Sequence, residues 1–262
     1  MKEFFGFGGY QREPEGFLSW QHLLFVSSLI LLMAAVAVIL GQRNKNEDWH
    51  AKNKPLIWAA VLIDCFELFK IVLLCFRSQD SLAWLYELPL FLCSIQLITI
   101  PLAAFATGRV KEAALDFVFI FGLLGAILGT YGAGNNYGSY PVLSFDNVIS
   151  GITHCISGFA SLYIGFSRMT SMKAKNIWIT FAILFGFCIS ANIANTVLDY
   201  NYMFLVAGDG TPYDILYSLV GGHPIAYPIG VVALFVIYVS CFYLVHACME
   251  RKKRKSKATA TV

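Results

Sequence analysis

Two side chains with reactive chemistry lie in long apolar segments of this sequence. Cys93 follows the run Leu88-Pro89-Leu90-Phe91-Leu92, and His154 lies in a later apolar stretch. A thiolate is a strong nucleophile once a neighbouring imidazole has accepted its proton, and a covalent thioester then splits acyl transfer into two easier steps. The pair therefore indicates nucleophilic chemistry on an acyl group, provided that the fold brings the side chains together. The simpler alternative is that Cys93 fills space and His154 only makes hydrogen bonds.

The composition of the chain is typical of a membrane protein. Of its 262 residues, 58% are hydrophobic and 13% are charged, whereas a soluble domain carries roughly 25% charged residues. A helix needs about 20 mainly apolar residues to cross the hydrocarbon core. Seven segments meet that condition, at residues 20–40, 56–76, 86–106, 113–133, 147–167, 177–198 and 224–246. The sequence therefore predicts an all-α fold, a single bundle of seven transmembrane helices over residues 20–246, with a leader at 1–19 and a basic tail at 247–262.

The Lys and Arg residues determine the predicted orientation. Fifteen of the nineteen lie in the loops of one side or in the tail, three lie on the other side, and Lys70 lies within the second segment. Because basic residues concentrate on the cytoplasmic side, we expect the amino end outside and the carboxyl end inside a cell membrane. The basic residues of the tail indicate an anchor on anionic lipid rather than a nucleic-acid contact: Arg251, Lys252, Lys253, Arg254, Lys255 and Lys257.

Several ionisable and amide side chains lie inside the predicted helices, where such groups are rare and usually face the interior. They include Asp64, Glu67 and Lys70 in the second segment, Gln96 in the third, and Asn192 and Asn195 in the sixth. With a rise of 1.5 Å per residue, Cys93, His154, Lys70 and Asn192 all lie about 10 Å below the outer ends of their helices. We therefore expect a shared hydrated cavity that opens to the outside.

The seven cysteines have no CxxC spacing, so we expect neither disulfides nor a zinc site, and no cofactor.

The fifth segment has two different faces, because residues three, four or seven apart share one side of a helix. The side that carries His154 is small or polar, with Asn147, Ser150, Gly151, Ser157, Gly158 and Ser161. A second stripe is bulky, with Ile152, Ile156, Phe159, Tyr163 and Phe166. We expect the first face to point into the bundle and the second toward lipid. In the neighbouring segments, Gly122, Gly125 and Gly129 favour close helix packing, and Pro101 favours a kink.

Four motifs, in the same order over most of the chain, resemble those of the YwaF-type integral membrane proteins of bacteria. Leu88-Pro89-Leu90-Phe91-Leu92-Cys93-Ser94-Ile95 resembles their LPLHLC-type signature, and the stretch 150–163 is similar to their histidine-bearing helix. Asn195 with Asn201-Tyr202-Met203-Phe204-Leu205 resembles their asparagine and NYM motif. Gly222-His223-Pro224-Ile225-Ala226-Tyr227 is similar to the entry to their last helix.

This resemblance implies an activity. The YwaF-type proteins are related to a vertebrate membrane acyltransferase that makes polyunsaturated ether phospholipids, and more distantly to androgen-induced hydrolases of fatty-acid esters of hydroxy fatty acids. In the acyltransferase a cysteine and a histidine on different helices are the proposed catalytic pair, which implies these roles for Cys93 and His154. Phe91 departs from the pattern, because bacterial relatives often have histidine there. If that histidine takes part in the reaction, the resemblance implies a weaker activity or a different substrate.

Two functions are consistent with these residues. The first is an acyltransferase or lipid hydrolase whose partner is a phospholipid or lysophospholipid. Gln96, Asn192 or Asn195 would then stabilise an oxyanion, Tyr202 would support the site, and the group Asp64, Glu67 and Lys70 would hold a head group or support the histidine. The second is a transporter or ligand-binding membrane protein, in which that buried charged group marks an ion or proton path. A retinal-type receptor is disfavoured, since 224–246 contains no lysine, and a third alternative is that the polar groups only hold helices together.

Overall fold

The computed structural model describes residues 2–170 and 172–259 of the chain, with side chains described up to Lys252 in the last helix. All regular secondary structure within these residues is helical, so the predicted all-α class is confirmed. The chain divides into two compact units, Met1–Thr170 and Ser171–Val262.

The first unit contains the segments that carry Cys93 and His154. Its helices are α1 (Trp20–Asn44), α2 (Trp49–Ser78), α3 (Gln96–Phe105), α4 (Gly108–Tyr131), α5 (Gly134–Ser139) and α6 (Phe145–Phe166), with a 3₁₀ turn at Ala83–Glu87. The starts of α1, α2 and α6 are fixed by side-chain caps. The side chains of Ser19, Asp48 and Ser144 each accept a hydrogen bond from a backbone N–H in the first turn, which satisfies one of the donors that a helix start leaves unpaired.

The second unit contains α7 (Ile177–Leu198), α8 (Tyr213–Leu219) and α9 (Ala226–Thr259), with 3₁₀ turns at Ala174–Asn176 and Tyr202–Phe204. A buried hydrogen bond of 2.9 Å between the hydroxyls of Thr180 and Tyr243 joins α7 to α9. The side chains of the tail residues Lys253, Arg254, Lys255 and Lys257 lie outside the described part of the chain.

Five segments within the described ranges are long and apolar enough to cross a membrane: Trp20–Asn44, Gly108–Ser139, Phe145–Phe166, Ala174–Leu198 and Ala226–Lys252. They coincide with the first, fourth, fifth, sixth and seventh predicted segments, so the multi-pass character is confirmed. The second predicted segment lies within α2, which is 30 residues long but carries Asp64, Glu67 and Lys70. Crossing by the second and third segments, which would bring the total to seven, stays a prediction, as does the orientation.

The third predicted segment, 86–106, is wrong as a continuous helix. Only Gln96–Phe105 is α-helical there, and residues 88–95 form an irregular turn. The reason is Pro89, because the residue before a proline is disfavoured in the helical region. Leu88 accordingly has an extended backbone, with φ −59° and ψ 146°. Pro101, where the sequence favours a kink, lies inside α3.

Helices α4 and α6 pack closely through small residues. A Cβ atom on Gly122 would lie 2.7 Å from the carbonyl oxygen of Ser157, so only glycine allows this approach. The Ser157 hydroxyl donates to the Gly122 carbonyl at 3.2 Å, and the Ser161 hydroxyl donates to the Phe119 carbonyl at 2.7 Å. The predicted packing role of this glycine stripe is therefore confirmed at Gly122.

The predicted lipid-facing stripe of α6 is wrong at Tyr163. This side chain is fully buried, its hydroxyl donates to the Lys52 carbonyl at 2.8 Å, and it accepts from the Asn44 amide at 2.9 Å. Tyr163 belongs to a buried hydrophobic core cluster, and Ile156 and Phe159 are half-buried against that cluster. Phe166 is exposed. The stripe is covered because α1 and α2 pack against this side of α6.

Candidate functional site

Cys93 lies in the irregular turn that leads into α3. The turn is held by Ser94, whose hydroxyl accepts from the Phe91 N–H at 3.0 Å and lies 3.2 Å from the Phe91 carbonyl. The Ile95 N–H donates to the same carbonyl at 2.9 Å. This local network winds the chain into α3 and leaves Cys93 half-buried three residues before the first helical residue.

The turn that carries Cys93 lies against a neighbouring helix. Cys93 itself lies close to the start of α3, and the start of a helix carries a partial positive charge. Gly125 of α4 packs against the backbone of this residue, since a Cβ there would lie 3.3 Å from the Cys93 Cα. The turn is thus pressed against α4 at the position of the thiol.

His154 is oriented by the backbone of its own helix. Its Nδ1 lies 2.7 Å from the Ser150 carbonyl oxygen and 3.4 Å from the Ser150 hydroxyl. Because a carbonyl only accepts, Nδ1 carries the proton and Nε2 is the basic nitrogen of the neutral ring. Gly129 of α4 makes room for the ring, because a Cβ on that residue would overlap Cδ2 and Nε2.

The Cys93 thiol and the His154 imidazole, which come from two different segments, lie within interaction distance of each other. Because Nδ1 is engaged with Ser150, Nε2 is the atom able to take the proton of the thiol. This is the arrangement of a nucleophile, a base and a third group that orients the base.

An ion cluster, of which only Glu67 is buried, joins α2 to the 3₁₀ turn that follows it. The Lys70 ammonium is 2.5 Å from a Glu67 carboxylate oxygen and 2.9 Å from a Glu87 carboxylate oxygen, and its charge acts on the His154 ring. Asp64 is half-buried one turn before Glu67. Lys70 of the predicted charged group is therefore close enough to affect the histidine electrostatically, and Glu67 is its ion-pair partner. Glu87 is a partner that sequence reasoning missed as a site residue, because it is far from Lys70 along the chain and no spacing links them.

Gln96, the first residue of α3, is fully buried. Its Oε1 accepts from the Thr99 hydroxyl at 3.1 Å, while its Nε2 has no hydrogen-bond partner within the described ranges. The residue follows Cys93 by three positions, so it carries a buried donor close in sequence to the thiol.

The remaining predicted site residues belong to the second unit and have their own structural partners. Asn192 is exposed on α7, so it does not share a buried face with Asn195. Asn195 is buried, donates to the Tyr202 carbonyl at 3.1 Å and accepts from the Tyr202 N–H at 2.5 Å. Tyr202 is itself fully buried. In the described part of the chain, no three His, Cys, Asp or Glu side chains are grouped to hold a metal ion.

The leader is docked on the first unit, a feature that sequence reasoning missed. Arg77, in the last turn of α2, makes a bidentate ion pair with Asp146, in the first turn of α6, at 2.6 and 2.9 Å. The Tyr10 hydroxyl donates to the same carboxylate. The Phe145 N–H donates to the Phe4 carbonyl at 2.9 Å, so the leader is also held by its backbone.

The docked leader covers the end of the unit at which the sequence predicts an outward opening. Asp146 lies two helical turns before His154 in α6, and Arg77 lies two turns after Lys70 in α2. Next to Asp146, the ring of Phe145 contacts the rings of Phe5 and Phe69, at centroid distances of 5.4 and 5.5 Å. Aromatic contacts and an ion pair therefore hold the leader at the start of α6, two turns from His154.

Comparison with known proteins gives one match. The sequence model of the TMEM164 family matches residues 17–246, which include most of both units and every candidate site residue named above. No curated protein and no solved structure matches the chain.

Proposed function

The chain belongs to the TMEM164 family, and from this premise we propose that it is a membrane acyltransferase or lipid hydrolase that uses Cys93 as nucleophile and His154 as base. The observation that supports the proposal is the close approach of the Cys93 thiol to the His154 ring, combined with the 2.7 Å contact that commits Nδ1 of His154 to the Ser150 carbonyl. A cysteine that only fills space and a histidine that only makes structural hydrogen bonds would not require both contacts.

The reaction follows from this geometry in two steps. In the first step Nε2 takes the thiol proton, and the thiolate attacks the acyl carbonyl of a phospholipid ester. The ester C–O bond breaks, His154 returns the proton to the leaving alkoxide, and an acyl thioester remains on Cys93. In the second step a lysolipid hydroxyl or water gives its proton to His154, attacks the thioester and releases the thiol.

Three other groups have roles in this proposal. The unpaired Nε2 of Gln96 is a candidate donor for the oxyanion that forms at each addition step. Asn195 is less suited to that role, because both ends of its amide are already paired with Tyr202. The Glu67, Lys70 and Glu87 cluster would position the histidine or contact a polar head group.

The test is turnover by the full-length protein in nanodiscs that contain phospholipid with a labelled acyl chain. We expect Cys93→Ala and His154→Ala each to lower the rate by about a thousandfold or more, as removal of a nucleophile or base does in acyl-transfer enzymes. Cys155→Ala is the matched control, because Cys155 is a buried cysteine of the same helix as His154. Labelled free fatty acid as product would indicate a hydrolase, and a new phospholipid a transferase.

Unchanged lipid products together with unchanged labelling by a thiol-directed probe in Cys93→Ala would exclude the proposal. A transporter is the second candidate, favoured by the partly buried cluster of Lys70 with two carboxylates. Loss of solute uptake in Glu67→Gln with uptake intact in Cys93→Ala would favour transport over chemistry.

A further inference from the structure

A cavity lies in the second unit and takes no part in the proposed chemistry. It has a volume of about 590 Å³, within the range of about 300–1,000 Å³ that is usual for ligand sites. Residues of the segment that enters α7 line one side, and residues of α9 around the start of the tail line the other.

The lining combines positive charge with an apolar floor. Its charged and titratable side chains are Lys173, His246, Glu250 and Arg251. Two permanent cations against one carboxylate leave the lining positive. Met172 and Tyr243, both buried, form part of the floor. The Tyr243 hydroxyl is engaged with Thr180 at 2.9 Å, so this residue offers its ring to the cavity.

The position of the cavity along α9 places it at an interface. The apolar segment Ala226–Lys252 ends at this level, and the basic tail begins there. The positive-inside rule assigns this end to the cytoplasmic side, where anionic lipid head groups concentrate and basic pockets between helices bind them. A charged rim above an apolar floor suits a phosphate group attached to a partly apolar molecule.

We propose that this cavity binds an anionic phosphate group, carried by a lipid head group or present as free phosphate. Lys173 and Arg251 supply the charge-assisted contacts, and the apolar floor receives the part of the ligand next to the phosphate. This inference is independent of the chemistry at Cys93.

The test compares two double variants of the full-length protein that lose the same charge. Lys173→Gln with Arg251→Gln removes the cations that line the cavity, whereas Lys175→Gln with Lys252→Gln removes neighbouring cations that do not line it. Binding of a fluorescent phosphatidic acid is measured in phosphatidylcholine nanodiscs. We expect the first variant to weaken binding by about tenfold or more and the second to change it by less than about twofold.

Two further variants distinguish loss of binding from loss of folding, and one of them is expected to strengthen binding. Lys173→Arg with Arg251→Lys keeps both charges and is expected to retain binding. Glu250→Gln removes the carboxylate of the lining and is expected to strengthen binding. Competition by millimolar inorganic phosphate, with the same dependence on the lining cations, would identify free phosphate as a ligand, and its failure would identify the lipid head group. Equal loss in both double variants, or loss in neither, would overturn the proposal.

Discussion

Two glycines of α4 allow Cys93 and His154 to meet. Gly125 accepts the turn that carries the thiol, and Gly129 accepts the imidazole ring. Because they are four residues apart, they lie on one face of the helix, and the thiol and the ring are brought to that face from two different segments. The glycine pair therefore has a role beyond helix packing: it creates the space in which the thiol and the ring approach each other.

We predict that Gly129→Ala separates the pair without unfolding the protein. The added methyl group would occupy the position of Cδ2 and Nε2, so the ring must turn away from the thiol. Displacement of a catalytic group by about 1 Å costs on the order of a hundredfold in rate, and loss of the imidazole also slows alkylation of the Cys93 thiol. Gly125→Ala should have a smaller effect, because its Cβ would lie 3.3 Å from the Cys93 Cα, a distance that a small shift relieves.

The alkylation rate of Cys93 with a small thiol reagent checks this prediction without knowledge of the substrate. Gly186→Ala in α7 is the control, because nothing lies within 4 Å of a Cβ at that position. If Gly129→Ala reacts at the rate of the control, the ring and the thiol do not depend on this space.

At the scale of elements, the unusual feature is the broken third segment. An apolar helix that crosses a bilayer satisfies all its backbone groups internally, and irregular backbone at that depth is tolerated only where protein or a polar cavity covers it. If the third segment crosses the membrane as the sequence predicts, residues 88–95 are such an irregular stretch, and Cys93 lies within it.

Sequence patterns predict the features of this fold that depend on hydropathy and local spacing. They miss the features that a contact between distant parts of the chain determines. Hydropathy identifies the helices and approximate depths, and these depths bring Cys93 and His154 to one level. Tyr163 is misplaced because a lipid-facing side and a protein-facing side of a membrane helix are equally apolar. The break at 88–95 could have been inferred from Pro89. The pairing of Lys70 with Glu87, and of Arg77 with Asp146, could not, because no periodicity connects those positions.

We predict that the ion pair between Arg77 and Asp146 holds the leader in place. The two side chains are 15% and 17% exposed, so Arg77→Gln leaves a shielded carboxylate without its cation. We expect the free energy of leader opening to fall by about 2 kcal/mol, and amide hydrogen exchange in residues 2–15 to become roughly thirtyfold faster. Arg12→Gln is the control, because Arg12 is 55% exposed in its pair with Glu15, and such a surface pair contributes less than about 1 kcal/mol.

The pH dependence of leader docking gives an independent check. Burial, together with the hydrogen bond to Asp146, raises the pKa of Tyr10 from 10.0 to about 12. The docked leader therefore keeps the phenol protonated, its contribution is fully present below pH 10, and it is lost as the pH rises toward 12. Below pH 9 the protection of the leader amides, measured relative to the intrinsic exchange rate at the same pH, should stay constant, and a loss of protection in that range would contradict this role of Tyr10.

At the scale of the whole molecule, the number of crossings depends on α2. Its 30 residues span about 45 Å at 1.5 Å per residue, more than the roughly 30 Å of the hydrocarbon core. Lys70 of α2 is paired with Glu67 and Glu87. This pairing lowers the free-energy cost of placing these charges at membrane depth. If α2 crosses the membrane and residues 83–105 cross back, the chain makes seven crossings. If neither segment crosses, it makes five.

Both counts place the two chain ends on opposite sides, so the position of the carboxyl end cannot distinguish them. The position of the loop after α2 can distinguish the two counts, because the loop lies outside with seven crossings and in the cytoplasm with five. We predict that an epitope tag inserted at Asp80, an exposed residue of that loop, is detected by antibody on intact cells. A tag at Asn46, exposed between α1 and α2, should be detected only after permeabilisation. Detection of both tags only after permeabilisation would establish five crossings. The Lys70 cluster would then lie outside the hydrocarbon core, and Cys93 would face the cytoplasmic side.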